Sequence, residues 1–293
     1  MRGGGVCRTL LVLLFLATPA FAQDSPPASI GDLPAAVQGT FAAGTCAAPE
    51  RLLHITARSI VFLAPGADEH LMRLRRVQSL GEWSLAVGSG EDQPRVLLRP
   101  AAAAPGLDFG VPSVKLLDSQ LPGDTPVTHL IPCTEIPPEL ALLHGEGIAF
   151  LHALEAMEAA CGGDNPKPCL DAFMAYADVN RDGRLSAAEI TRVIRGASWA
   201  VQMAAGTSDG TLAAGLLGSA LIGLGAAEII VRSFDYDGKG TITPEALLLD
   251  RLPFPAMPQA RSTGAAPLPL EALGSQVGSL KELFSRLPAL PTK

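Results

Sequence analysis

Residues 178–189 read DVNRDGRLSAAE, which puts Asp178, Asn180, Asp182 and Ser186 at alternating or near-alternating positions, Gly183 in the middle and Glu189 at the end. A hard divalent cation such as Ca²⁺ takes six to eight oxygen ligands at flexible angles. A twelve-residue loop supplies them when positions 1, 3, 5, 9 and 12 turn their side chains inward and position 7 offers its carbonyl. Here those positions are Asp178, Asn180, Asp182, Ser186, Glu189 and, through its backbone, Arg184. Position 6 must turn sharply, which Gly183 allows. A terminal glutamate binding through both oxygens favours calcium over the smaller, octahedral magnesium.

The flanks suit such a loop. Phe173 and Met174 precede it and Ile190, Val193 and Ile194 follow, at helical spacing. The stretch resembles the helix–loop–helix EF-hand of the calmodulin superfamily. That resemblance implies a calcium site and a second, paired copy. Residues 235–246, DYDGKGTITPEA, are the copy: Asp235, Asp237, Gly240, Thr241, Ile242 and Thr243 fit the pattern. Lys239 and Ala246 do not, because they replace an acceptor and the bidentate glutamate, and Glu245 lies one residue out of register. The expectation is one intact calcium site and a weak or lost second one. Ile242 should pair with Leu185 and stiffen the intact loop.

The elements that must position these loops are helices. ELALLHGEGIAFLHALEAMEAA, PCLDAFMAYA, SAAEITRVIRGASWAVQMAA and TLAAGLLGSALIGLGAAEIIVRSF carry apolar residues without strand alternation. From Leu212 to Val231 the only charge is Glu228, a run long enough to cross a bilayer. Crossing would separate the two loops, so a buried core helix with Leu217 inside is expected. The alternative is an inner-membrane-attached envelope protein that uses this helix. Before the helices, RLLHITARSIVFLA, EWSLAVGSG and PRVLLRP are short apolar runs broken by Gly, Pro and Asp, as in a small sandwich or barrel.

Residues 1–22, with Arg2, Arg8, an apolar core and a small-residue end at Ala20–Phe21–Ala22, read as a secretory signal cut after Ala22. Cys7 leaves with it. Cys46, Cys133, Cys161 and Cys169 remain, an even set that favours disulfides in the periplasm or outside the cell. Of three pairings, Cys161–Cys169 with Cys46–Cys133 is favoured; no CxxC supports zinc. The net charge of −7, without a dense basic run, argues against nucleic acid as a partner. His54, His70, His129, His144 and His152 form no HExxH, and no GxSxG or phosphate loop occurs, so no enzymatic activity is expected.

The expected fold class is α+β. A flexible leader over 23–36 precedes a small disulfide-tied β domain over 37–134. An all-α EF-hand-pair domain follows over 135–251. A Pro-rich linker over 252–269 and an amphipathic helix with a tail over 270–293 close the chain. The expected function is that of a secreted or periplasmic calcium-binding protein. Its calcium would be structural, or regulatory toward a protein partner.

Overall fold

The computed structural model describes residues 31–63, 69–89, 92–102, 105–113, 115, 121–161, 165–206 and 208–249. The expected signal over 1–22, Pro-rich linker over 252–269 and amphipathic helix with its tail over 270–293 lie outside the described residues.

Eight strands form one closed antiparallel barrel: β1 Gly39–Gly44, β2 Pro49–Ile55, β3 Ser59–Leu63, β4 His70–Leu80, β5 Trp83–Gly88, β6 Arg95–Pro100, β7 Leu107–Gly110 and β8 Val127–Cys133. Each strand pairs with its sequence neighbour. β8 closes on β1 with Thr40 opposite Cys133 and Ala42 opposite Ile131, leaving no free edge. The 11-residue β4 shifts register between Leu74 and Arg76, a bulge that lets a long strand bend around the barrel. Cys46–Cys133 fastens the segment after β1 to the end of β8 beside this seam. Phe41, Leu53, Ile60, Leu74, Leu98 and Phe109 belong to the cluster that fills the interior, as side chains do in a barrel this small.

Five helices follow: α1 Pro138–Ala160, α2 Lys167–Ala177, α3 Ala187–Ala205, α4 Asp209–Phe234 and α5 Pro244–Leu249. They do not form a separate domain. Leu52, Val61, Leu63 and Leu71 face out of the barrel and share one apolar cluster with Leu140, Leu151 and Trp199 of α1 and α3. Strands β2 to β4 are therefore buried on both faces, one by the interior and one by helices. The expected arrangement of a small β domain beside an independent all-α EF-hand pair is overturned. The structure is an eight-stranded barrel carrying helices, and the outer barrel wall is part of the helical core.

Two other expectations change. Within the leader over 23–36, Leu33 is buried in the barrel cluster and its N–H bonds Ala57 O at 2.8 Å, so the described end of this segment packs against the barrel. The 212–231 helix is not a core helix. Gly210–Phe234 has the length and composition to cross a membrane, with a mean hydropathy of 1.9, yet only 17% of that window is buried. One face, with Leu212, Ala227 and Val231, packs inward, and the other points outward; Leu217 is 69% exposed. The pairing of the loops at its far end requires α4 to lie along α3, and α3 covers only one side of it.

Candidate metal centre

The first loop joins α2 to α3. Asp178 caps the end of α2, and its carboxylate accepts the N–H groups of Asp182 (3.1 Å) and Gly183 (2.8 Å). Asn180 Oδ1 accepts the Asp182 N–H at 3.0 Å, and its amide nitrogen donates to Asp182 Oδ2 at 3.0 Å. Arg181 and Gly183 have positive φ, 60° and 77°, which wind the chain tightly enough to bring alternate side chains to one side.

Glu189 closes the loop. Its Oε1 accepts the N–H of Val179 at 2.9 Å, and its Oε2 accepts both the N–H and the hydroxyl of Ser186 at 2.8 Å. The carboxylate thus reaches from the start of α3 back across to the first residues of the loop. Burial pushes its pKa up, but bonds from Ser186, Val179 and Asn180 outweigh burial and hold it below the ordinary carboxylate value. Ser186 and Glu189 also form a capping box that starts α3. The same two residues therefore serve the helix and face the loop.

The second loop repeats the backbone. Asp235 accepts the N–H groups of Lys239 and Gly240, each at 2.8 Å, as Asp178 does at the matching positions. Gly238 and Gly240 have φ of 69° and 72°, matching Arg181 and Gly183. Its side chains differ. Asp237 is held by Arg184, Thr241 Oγ1 receives Arg184 Nε, and Thr243 Oγ1 accepts the Ala246 N–H at 3.1 Å. Glu245 is exposed in the first turn of α5. Leu185 and Ile242 join the loops as an antiparallel bridge, with N–H···O distances of 2.8 and 2.9 Å, as expected from their positions. Both side chains are fully buried with Ala177, Ile190, Ala227 and Val231.

Asp178, Asn180, Asp182, Ser186, Glu189 and the Arg184 carbonyl offer only hard oxygen donors. That donor set suits calcium: each oxygen of Asp178 and Asp182 accepts one hydrogen bond and keeps a lone pair, whereas Glu189 Oε2 already accepts two from Ser186 and would have to release one to bind an ion. The second loop lacks a carboxylate at the closing position and has a guanidinium on Asp237, so it does not fit. Among the described residues, no three His, Cys, Asp or Glu side chains are already gathered at metal-binding distances.

A second polar cluster, between α1 and the barrel, was not legible in the sequence. Both oxygens of Glu158 take hydrogen bonds from Arg73, whose other terminal nitrogen reaches Ser59 at 2.8 Å and Glu155 at 3.2 Å. His54 Nε2 lies 3.0 Å from His152 Nε2, and its Nδ1 lies 2.9 Å from Thr40 Oγ1. Fully buried His144 stands 3.2 Å from Glu69 and accepts the Trp199 indole N–H at 3.2 Å. The histidines are thus engaged with partners, and His144, His152, Glu155 and Glu158 share one side of α1 with buried Ile148 and Leu151. Their barrel-side partners Glu69, His54, Ser59 and Arg73 lie 75 or more residues away in sequence, which no local pattern reveals.

Cys161–Cys169 ties the end of α1 to the start of α2, with Cα atoms 4.4 Å apart. The two disulfides indicate an oxidising, extracellular or periplasmic environment. Comparison with protein families, curated proteins and solved structures gives no match to this chain.

Proposed function

We propose that this is an exported calcium-binding protein in which residues 178–189 form an EF-hand-type loop for one structural Ca²⁺. Residues 235–246 serve as its metal-poor partner. The observation that carries this reading is the placement of Glu189, which spans the loop from α3 to Val179 with both oxygens turned toward it. Asp178, Asn180, Asp182, Ser186, Glu189 and the Arg184 carbonyl would hold the ion. Calcium would supply the positive charge that offsets the carboxylates of Asp178, Asp182 and Glu189 and would fix the angle between α2 and α3. Through Leu185–Ile242 that constraint passes to α4 and α5. The chain is read as binding protein, not enzyme, exported through the signal over residues 1–22.

Extracellular modules of this type bind at roughly 10⁻⁴–10⁻³ M, which suits permanent loading outside the cytoplasm. Titration calorimetry on the metal-stripped mature chain tests the reading. One calcium-binding event is expected, and Glu189→Gln should abolish it. Glutamine still completes a capping box, so the helix start survives while a charge and the bidentate contact go. Normal binding by Glu189→Gln, or two sites of similar strength, overturns the assignment.

A further inference from the structure

The outward face of α4 is apolar and bare. Leu217, Leu221, Leu224 and Ile229 are 54–76% exposed, and Leu142 on neighbouring α1 is 91% exposed. Between the two helices runs a groove of about 400 Å³, lined by Leu142, Leu143, Trp199, Leu216 and Leu217 among others. Its charged lining residues, Glu146 and Arg195, pair with each other at 2.9 Å, so the groove presents no uncompensated charge. Gly218 and Gly225 have open space where a Cβ would stand, leaving notches on the same helix. An apolar surface of this kind, if it faces water, calls for a cover.

The chain carries a sequence of matching pattern. Beyond Leu249 it continues to Lys293, and in that stretch Leu270, Leu273, Val277, Leu280, Phe284 and Leu287 recur at intervals of three, four, three, four and three. That is a heptad stripe, the pattern of a helix meant to lay one narrow seam on another helical surface. Glu271, Gln276, Lys281, Glu282 and Arg286 lie among the other positions, together with Gly274, Gly278 and Leu283, and Pro288 ends the pattern. Eighteen helical residues span about 27 Å, long enough to cover the roughly 18 Å along α4 from Leu217 to Ile229. The intervening residues 250–269 reach roughly 60 Å when extended, more than the length of α4. A tether of that kind holds its own segment near millimolar effective concentration, which favours it over a second copy or a lipid surface.

We infer that residues 270–287 dock in cis, as an amphipathic helix, on the outward face of α4 and into the α1–α4 groove. The seam residues take the place of water over Leu217, Leu221 and Leu224. Docking does not require calcium and stands whether or not the 178–189 loop holds an ion.

The test uses the full mature chain with the photoreactive residue p-benzoylphenylalanine in place of Leu217. Irradiation should give a crosslink at monomer mass that maps to residues 270–287, and Leu280→Asp should remove it. Hydrogen exchange gives a second reading without a probe: amides of 270–287 should exchange at least about tenfold more slowly in the parent chain than in Leu217→Asp. Leu217 lies on the surface, so neither change threatens the core. Crosslinks at dimer mass overturn the proposal in favour of self-association. Crosslinking to lipid in phosphatidylglycerol vesicles, with release of the segment, overturns it in favour of a membrane. Equal exchange in the parent and Leu217→Asp also overturns it.

Discussion

Arg184 of the first loop grips Asp237 of the second with one terminal nitrogen, 3.0 and 2.9 Å from the two carboxylate oxygens, while its Nε donates to Thr241. In the proposed reading one residue would offer its carbonyl to its own loop, while its charge goes to the other. The hydrogen bond from Arg184 holds the Asp237 carboxyl below the usual carboxylate range. In the second loop a guanidinium thus occupies the carboxylate that the proposed reading would otherwise give to a metal ion. Arg184→Ala alone should leave calcium stoichiometry at one, because Ala246 still cannot close the loop. Adding Lys239→Asp and Ala246→Glu should create a second event. Thr243 already accepts the N–H of residue 246, as Ser186 accepts that of Glu189, so the new glutamate starts in the matching geometry. Calorimetry that still shows a single event in the triple variant would reject this account of the degeneracy.

The bridge between the loops predicts a different kind of coupling. Ile242 contacts no donor of the first loop, yet its main chain is bonded to Leu185 and its side chain is fully buried. Ile242→Ala should cost about 2–5 kcal/mol by leaving a cavity, and should weaken calcium binding while leaving every ligand in place. Urea unfolding and calorimetry on one preparation measure both effects. A stable variant with unchanged affinity would show that the loops act separately.

The loops were legible because their chemistry is local: twelve consecutive residues carry donors, turn glycine and closing carboxylate together. The disulfides followed from a small even count and, for Cys161–Cys169, short spacing; Cys46 and Cys133, 87 residues apart, are then the pair that remains. Barrel closure was not legible. Alternation marks a strand with one buried face, whereas Leu52 and Leu53, adjacent in β2, are both buried, one among helices and one in the interior. The α4 error has a related cause. A helix apolar on all sides shows no period that says which side is covered, so Leu217 and Leu212 look alike in sequence and differ completely in exposure. Arg73 and Glu158 meet only because the chain returns α1 to the outside of the barrel.

The His54–His152 contact predicts a pH dependence. Burial, and then the charge of His152, lower the His54 pKa from 6.5 to about 4. The unfolded chain therefore binds a proton that the folded chain refuses between those values. The stability involved is fully present above about 6.5 and is lost as pH falls toward 4, on the order of 2–3 kcal/mol. Urea midpoints from pH 7.5 to 4.5 should fall along that course, and the His54→Gln variant should show a distinctly shallower slope. Identical slopes would remove His54 from the account.

Arg73 tests whether barrel and helices are one folding unit. Its side chain leaves β4 with almost no exposure and holds Glu158 of α1 by both carboxylate oxygens. Removing one member of a buried ion pair costs about 3–5 kcal/mol, whereas replacing the pair by apolar groups of similar volume is often neutral. Arg73→Met should therefore be strongly destabilising, and Arg73→Met with Glu158→Leu should recover most of the loss. Glu155 tolerates both changes, because Thr56, Ser59 and the Arg58 N–H still bond it. The two tryptophans report the parts separately: Trp83 sits on the barrel and Trp199 in the helical core. In single-tryptophan variants, Trp83→Phe and Trp199→Phe, the remaining signal follows one part at a time. If the shared core makes one unit, Arg73→Met should lower both transitions by the same amount and they should stay coincident. A shift confined to the Trp199 signal, with the Trp83 transition unmoved, would mean that the barrel folds without its helices and that the Arg73 contact only docks them.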